Sequence, residues 1–117
     1  MRVLVCDDNA DILELVTFVL EGDGHEVEAV GNGRLLLESV KARRPDLILL
    51  DLRMPGFDGF DVLRALHGGG GTPPPVVAIS AKTLEEDRRA ALAAGASRYL
   101  LKPFGIGELL DTVRSFG

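Results

Sequence analysis

Leu47-Ile48-Leu49-Leu50-Asp51 is a run of four aliphatic residues closed by a carboxylate. A strand with one wet face alternates apolar and polar residues, whereas a strand covered on both faces reads as an unbroken apolar run. Leu47 to Leu50 therefore predicts an inner strand of a parallel sheet with helices on either side. Working outward, Arg2 to Cys6, Val76 to Ile79 and Arg98 to Leu101 are also nearly continuous apolar runs. Glu26-Val27-Glu28-Ala29-Val30 alternates instead, which predicts an edge strand with one wetter face.

Segments of helical period lie between these runs. Ile12, Leu15, Val16, Val19 and Leu20 fall on one stripe, and Ile106, Leu109, Leu110 and Val113 on another. Gly33 to Ala42, Gly59 to Leu66 and Lys82 to Ala94 complete the set, with Leu35-Leu36-Leu37 and the last stripe read as core. The fourth helix is alanine-rich and offers only Leu84 and Leu92 as large apolar anchors, so light packing and easier movement are expected of it. Gly22, Gly24, Gly31, Pro45, Gly95 and Pro103 punctuate the pattern. The run from His67 through Gly68 and Pro73 to Pro75 has the composition of a linker. Its flanks continue one alternation, so it is expected to be a mobile loop inside one domain. Five strands alternating with five helices, joined by right-handed crossovers, predict an α/β flavodoxin-like doubly wound (βα)5 fold over residues 1–117, with a five-stranded parallel sheet in the order 2-1-3-4-5.

Composition narrows the function. With 117 residues, 46% of them hydrophobic, there is room for one core and little for a second. Eighteen acidic against 13 basic residues give a net charge of -5, and no basic cluster exists to neutralise a run of phosphates, which argues against direct nucleic-acid binding. The single cysteine, Cys6, rules out an internal disulfide and reads as a small buried hydrophobe suited to a reducing compartment. No stretch reaches membrane-spanning length and no secretory leader opens the chain, so a cytoplasmic protein without membrane contact is expected.

In doubly wound sheets the ligand lies beyond the carboxyl ends of the strands. Asp7 and Asp8 follow the first strand, Asp51 the third, Ser80 the fourth and Lys102 the fifth. Taken singly, each has a plain explanation: helix caps for the aspartate pair, turn chemistry for Asp51, a surface lysine, a turn serine, a half-buried strand tyrosine at Tyr99. Those explanations do not account for their common rim. Three carboxylates gathered there repel one another unless a cation joins them, and Mg²⁺ suits an all-oxygen site that also handles phosphate. An Asp51 oxygen could then attack phosphorus in line, while Lys102 and Ser80 serve two of the phosphoryl oxygens. His25 and His67 sit in loop-like segments, and neither is assigned a metal or catalytic role.

Val3-Leu4-Val5-Cys6-Asp7-Asp8-Asn9, Asp51-Leu52-Arg53-Met54-Pro55-Gly56-Phe57-Asp58-Gly59, Ser80-Ala81 and Tyr99-Leu100-Leu101-Lys102-Pro103-Phe104, in this order and spacing, resemble the receiver domain of two-component response regulators. The resemblance covers essentially the whole chain. It implies Asp7 and Asp8 as the acidic metal pair, with Asp8 favoured as direct ligand, and Asp51 as phosphoacceptor and further Mg²⁺ ligand. It also implies the backbone carbonyl of Arg53 in the metal shell, Lys102 as the phosphoryl-pairing lysine, Ser80 and Tyr99 as switch residues, and a cis Lys102-Pro103 peptide. Arg53 and Lys82 resemble positions that tune phosphate lifetime. The glycine and proline run before the fourth strand is longer than the family pattern.

The expected function is phosphorelay signalling. A sensor histidine kinase or histidine phosphotransfer protein donates to Asp51, and the face made by the fourth helix, fifth strand and fifth helix switches between partner-binding states, a homodimer among them. The chain is expected to be a switch rather than a turnover enzyme. Two readings compete: a Mg²⁺-dependent aspartate-nucleophile phosphatase, and a receiver-like interaction module without phosphorylation. The phosphatase would need an acid close to the nucleophile, and Asp51-Leu52-Arg53 offers none two residues on. A flavin or dinucleotide module is disfavoured because no glycine fingerprint follows the first strand.

Overall fold

The computed structural model describes residues 1–54, 57–69, 71–81 and 85–117. Its main sheet contains β1 (Arg2–Cys6), β2 (Glu26–Val30), β3 (Leu47–Asp51), β4 (Val76–Ser80) and β5 (Arg98–Leu101). Between and after them run α1 (Ala10–Gly22), α2 (Gly33–Ala42), α3 (Gly59–Gly68), α4 (Glu85–Ala93) and α5 (Ile106–Arg114). All pairings in this sheet are parallel and the order is β2-β1-β3-β4-β5, as the alternation predicts. Every residue of β3 and of β4 is buried, while β2, at the edge, has no buried residue.

Because side chains alternate across a strand, each inner strand feeds two cores. Leu4, Ile48 and Ala78 pack with Leu36 of α2, Leu63 of α3 and Ala91 of α4. Val5, Leu49 and Val77 pack on the other side with Val16 and Leu20 of α1 and with Leu109 and Val113 of α5. The helices start where short polar side chains take up otherwise unpaired amides: Asn9 accepts from Asp11 and Ile12, Asn32 from Leu35, and Asp58 from Phe60.

Several boundaries and packings differ from the sequence expectation. Strands β3 and β4 each run one residue further, to Asp51 and Ser80, because the Leu52 amide still donates to the Ile79 carbonyl and the Lys102 amide to that of Ser80. Helix α3 extends through His67, placed in a loop by its glycine-rich neighbours; its Nδ1 lies 2.8 Å from the Leu63 carbonyl one turn back. Leu35 and Ile106 fall on apolar stripes yet stand 39% and 54% exposed, since no element covers that edge of either helix. Arg53–Met54 and Phe57–Asp58 form a short antiparallel pair that the sequence did not announce. Of the expected fourth helix, Lys82, Thr83 and Leu84 lie outside the described residues, as do Pro55 and Gly56 of the loop after β3 and Gly70 of the glycine run. The described part of α4 buries only Ala91.

Candidate metal and phosphoryl site

The carboxyl ends of β1 and β3 sit side by side in register, Cys6 opposite Leu50, so the residues that follow share one rim. Asp7, Asp8 and Asp51 each offer a carboxylate oxygen within 4.8 Å of the others. Asp7 and Asp51 are almost fully buried, and Asp8 is exposed at the mouth. Both buried carboxylates are locked by the same local device, a bond from the amide two residues on. The Asn9 amide donates to Asp7 Oδ1 at 2.9 Å and the Arg53 amide to Asp51 Oδ1 at 3.0 Å. Their other oxygens share the Lys102 ammonium, which lies 2.8 Å from Asp7 Oδ2 and 3.3 Å from Asp51 Oδ2. Lys102 comes from just beyond β5, and its peptide bond to Pro103 is cis, as the resemblance implies.

The electrostatics follow from burial. Loss of solvent pushes the Asp51 carboxyl above the ordinary range and the Asp7 charge adds to this, against the Arg53 amide and the Lys102 ammonium. Burial works against the charge on Lys102 as well, but its bonds and attraction to Asp7 and Asp51 outweigh it and raise the ammonium. Cys6, beneath the rim, is pushed up to about 12 by burial and by the aspartates, so it remains a thiol at neutral pH. The chemistry of this rim belongs to oxygen ligands. One ammonium facing three carboxylates leaves negative charge uncompensated, and a cluster of hard oxygens of this kind fits Mg²⁺.

Ser80 and Tyr99 occupy the opposite side of the sheet from the α1 and α5 core. Ala78 is paired with Tyr99 and Ser80 is two residues further along the same face, so serine and tyrosine are diagonal neighbours. Tyr99 is half-buried against the cluster that contains Ala91 of α4. Ser80 is buried next to Ile79, the register partner of Asp51. His25 and His67 stay away from the rim: the first lies beside Asp23, the second folds back on α3. Two contributors escaped the sequence reading. Gly59 opens α3 where an added Cβ would lie 2.5 Å from the Leu52 Cα, so only glycine lets that helix seat against Leu52, the residue between Asp51 and Arg53. Asp87 of α4 lies 3.5 Å from the Arg53 guanidinium. The motif Asp58-Gly59 was a signal for the former; nothing local in the sequence marks the latter.

Residues 3–114 match the family described as the response regulator receiver domain. The DNA-binding response regulator MtrA of Mycobacterium tuberculosis is 43% identical over 114 residues, 97% of this chain and 49% of that protein. The transcriptional regulatory protein PrrA of the same organism is 41% identical, again over 97% of this chain and 48% of that protein. The chain thus spans about half the length of the curated relatives it matches. Among solved structures, the chemotaxis response regulator CheY4 of Vibrio cholerae superposes with a TM-score of 0.89 at 30% identity, covering 99% of this chain and 98% of that one.

Proposed function

This chain belongs to the response regulator receiver domain family of two-component systems, and from that premise we propose that residues 1–117 form one phosphorylation-switched unit with Asp51 as the phosphoacceptor. The observation that carries the reading is the convergence of Asp7, Asp8 and Asp51 within 4.8 Å, with Lys102 bonded to the two buried members.

In the proposed reaction a phosphohistidine of a histidine kinase or phosphotransfer protein presents its phosphoryl group at the rim. An Asp51 carboxylate oxygen forms the new O–P bond as the P–N bond breaks, and the donor imidazole leaves with that electron pair and takes up a proton. Asp7, Asp8, Asp51 and the backbone carbonyl of Arg53 are the residues that would hold Mg²⁺, which when bound supplies neutralising charge beside the phosphoryl oxygens. Lys102 stands where its ammonium can leave Asp51 for a phosphoryl oxygen while keeping Asp7. The Ser80 hydroxyl serves another phosphoryl oxygen, and its displacement makes room for Tyr99 to turn inward, altering the face formed by α4, β5 and α5. That face then meets a second copy of the chain or another protein partner. Attack of water on phosphorus breaks the O–P bond and returns the aspartate and inorganic phosphate.

The output is a change of binding state rather than turnover. Arg53, where a hydrolase of this type would carry an acid, supports that view. Acetyl phosphate with Mg²⁺ is expected to label Asp51 in the wild type and to leave Asp51→Asn unlabelled. Mass spectrometry that finds phosphate on Asp51→Asn at the wild-type level refutes the assignment.

A further inference from the structure

We infer that the ion pair between Arg53 and Asp87 is a latch that holds α4 against the segment that follows Asp51 and opens when Asp51 is phosphorylated. This inference rests on the reading of Asp51 as phosphoacceptor.

A single residue makes both connections. The Arg53 amide donates to Asp51 Oδ1 at 3.0 Å, and its guanidinium Nη2 lies 3.5 Å from Asp87 Oδ1. The backbone of Arg53 is fixed in turn by its antiparallel pairing with Asp58, the residue that caps α3. The helix at the other end is lightly packed: among its described residues α4 buries only Ala91, with Leu92 partly buried against the same core. Asp87 lies one helical turn before Ala91, on the same inward stripe, and its side chain is 24% exposed against 58% for Glu85. Arg88 and Arg89 both pair with Glu85 inside the helix, at 3.3 and 3.5 Å. Among the described residues, Arg53–Asp87 is the one ion pair that joins α4 to another element.

A pair of this exposure is weak and screened by salt, which suits a device that must open. Phosphorylation exchanges the single negative charge of the Asp51 carboxylate for about -1.5 to -2 on a phosphoryl group two residues from Arg53, and the oxygens that carry the added charge compete with Asp87 for the guanidinium. The α4 helix loses its tether as the phosphoryl group arrives.

Amide hydrogen exchange of α4 tests this, in wild type, Asp87→Asn and Glu86→Gln, each with Mg²⁺ and with or without beryllofluoride. Without beryllofluoride, Asp87→Asn is expected to exchange about two- to fivefold faster than wild type at the amides of α4 bonded within the helix, from Arg89 to Ala93, the range that an exposed ion pair supports. Glu86→Gln, with the same change of net charge, is expected to match wild type. Beryllofluoride is expected to speed exchange there in wild type and to add little in Asp87→Asn. Equal exchange in Asp87→Asn and wild type overturns the latch, as does an equal acceleration in Glu86→Gln. Labelling of Asp51 by acetyl phosphate is followed in the same preparations. If Asp51 is labelled and α4 is indifferent to Asp87→Asn, only the latch fails; if wild type is not labelled, the phosphoacceptor reading fails with it.

Discussion

Asp51 carries the tension of the molecule in one side chain. It is 4% exposed, bonded to an amide and an ammonium, and still burial holds its carboxyl above the ordinary range. A raised folded value means that ionisation costs stability. The favourable contribution is complete at pH below the ordinary value of 3.8 and is lost as pH rises through the higher folded value. Near neutrality the charged carboxylate therefore works against folding. Asp51→Asn, in which Lys102 keeps Asp7, is expected to raise the urea midpoint at pH 7 in Mg²⁺-free buffer, and the gain should shrink on acidification toward pH 4. A gain that grows on acidification would contradict the electrostatic account. The types of residue at this rim were legible in the sequence. Their pairing was not, because the Lys102 contacts cross 95 and 51 positions of chain.

Periodicity read the elements well and their surroundings less well. The continuous run of β3 and the alternating run of β2 each mark how many faces are covered, a property local enough to be written in the strand itself. A helical stripe says that something covers it without saying how much, and Leu15 at 49% exposed lies on a stripe that continues past its cover. The ends of β3 and β4 were missed by one residue, while β1, β2 and β5 match at both ends, because a strand stops where its ladder stops, and the ladder belongs to the neighbour. At this scale Gly59 offers the sharpest test. A methyl group placed 2.5 Å from backbone forces the start of α3 away from Leu52, so Gly59→Ala is expected to cost about 1–3 kcal/mol. Denaturant unfolding checks it, and labelling of Asp51 by acetyl phosphate should slow in the same variant because α3 starts from the loop that follows Asp51.

At the scale of the molecule, the sheet order brings the ends of β1, β3 and β5 to one rim and leaves α4 on the far face from α1 and α5. The acidic rim and α4 are then neighbours, joined through Arg53 and Asp87, without being adjacent in sequence. Binding of Mg²⁺ to the rim should stabilise the whole fold by linkage, by about 2.7 kcal/mol when the free ion is at one hundred times its Kd. Thermal unfolding in a Mg²⁺ series should show the midpoint of the wild type rising. The rise should be much smaller in Asp8→Ala and in Asp51→Asn, and an equal rise in all three would place the ion elsewhere. No helix among the described residues is long and apolar enough to cross a membrane.

By itself, the sequence determined the alternation of strands and helices, the parallel sheet and its order, and the residue types gathered at the strand ends. The alternation and the residue types follow from local periodicity, and the order from the right-handed crossover rule together with the few orders that doubly wound sheets adopt. Only the tertiary structure decided that Lys102 bridges Asp7 and Asp51, that Gly59 must be glycine, and that Arg53 reaches across to Asp87. Each of these is a contact between elements, fixed by the distance at which two surfaces pack, and no stretch of chain carries that distance alone.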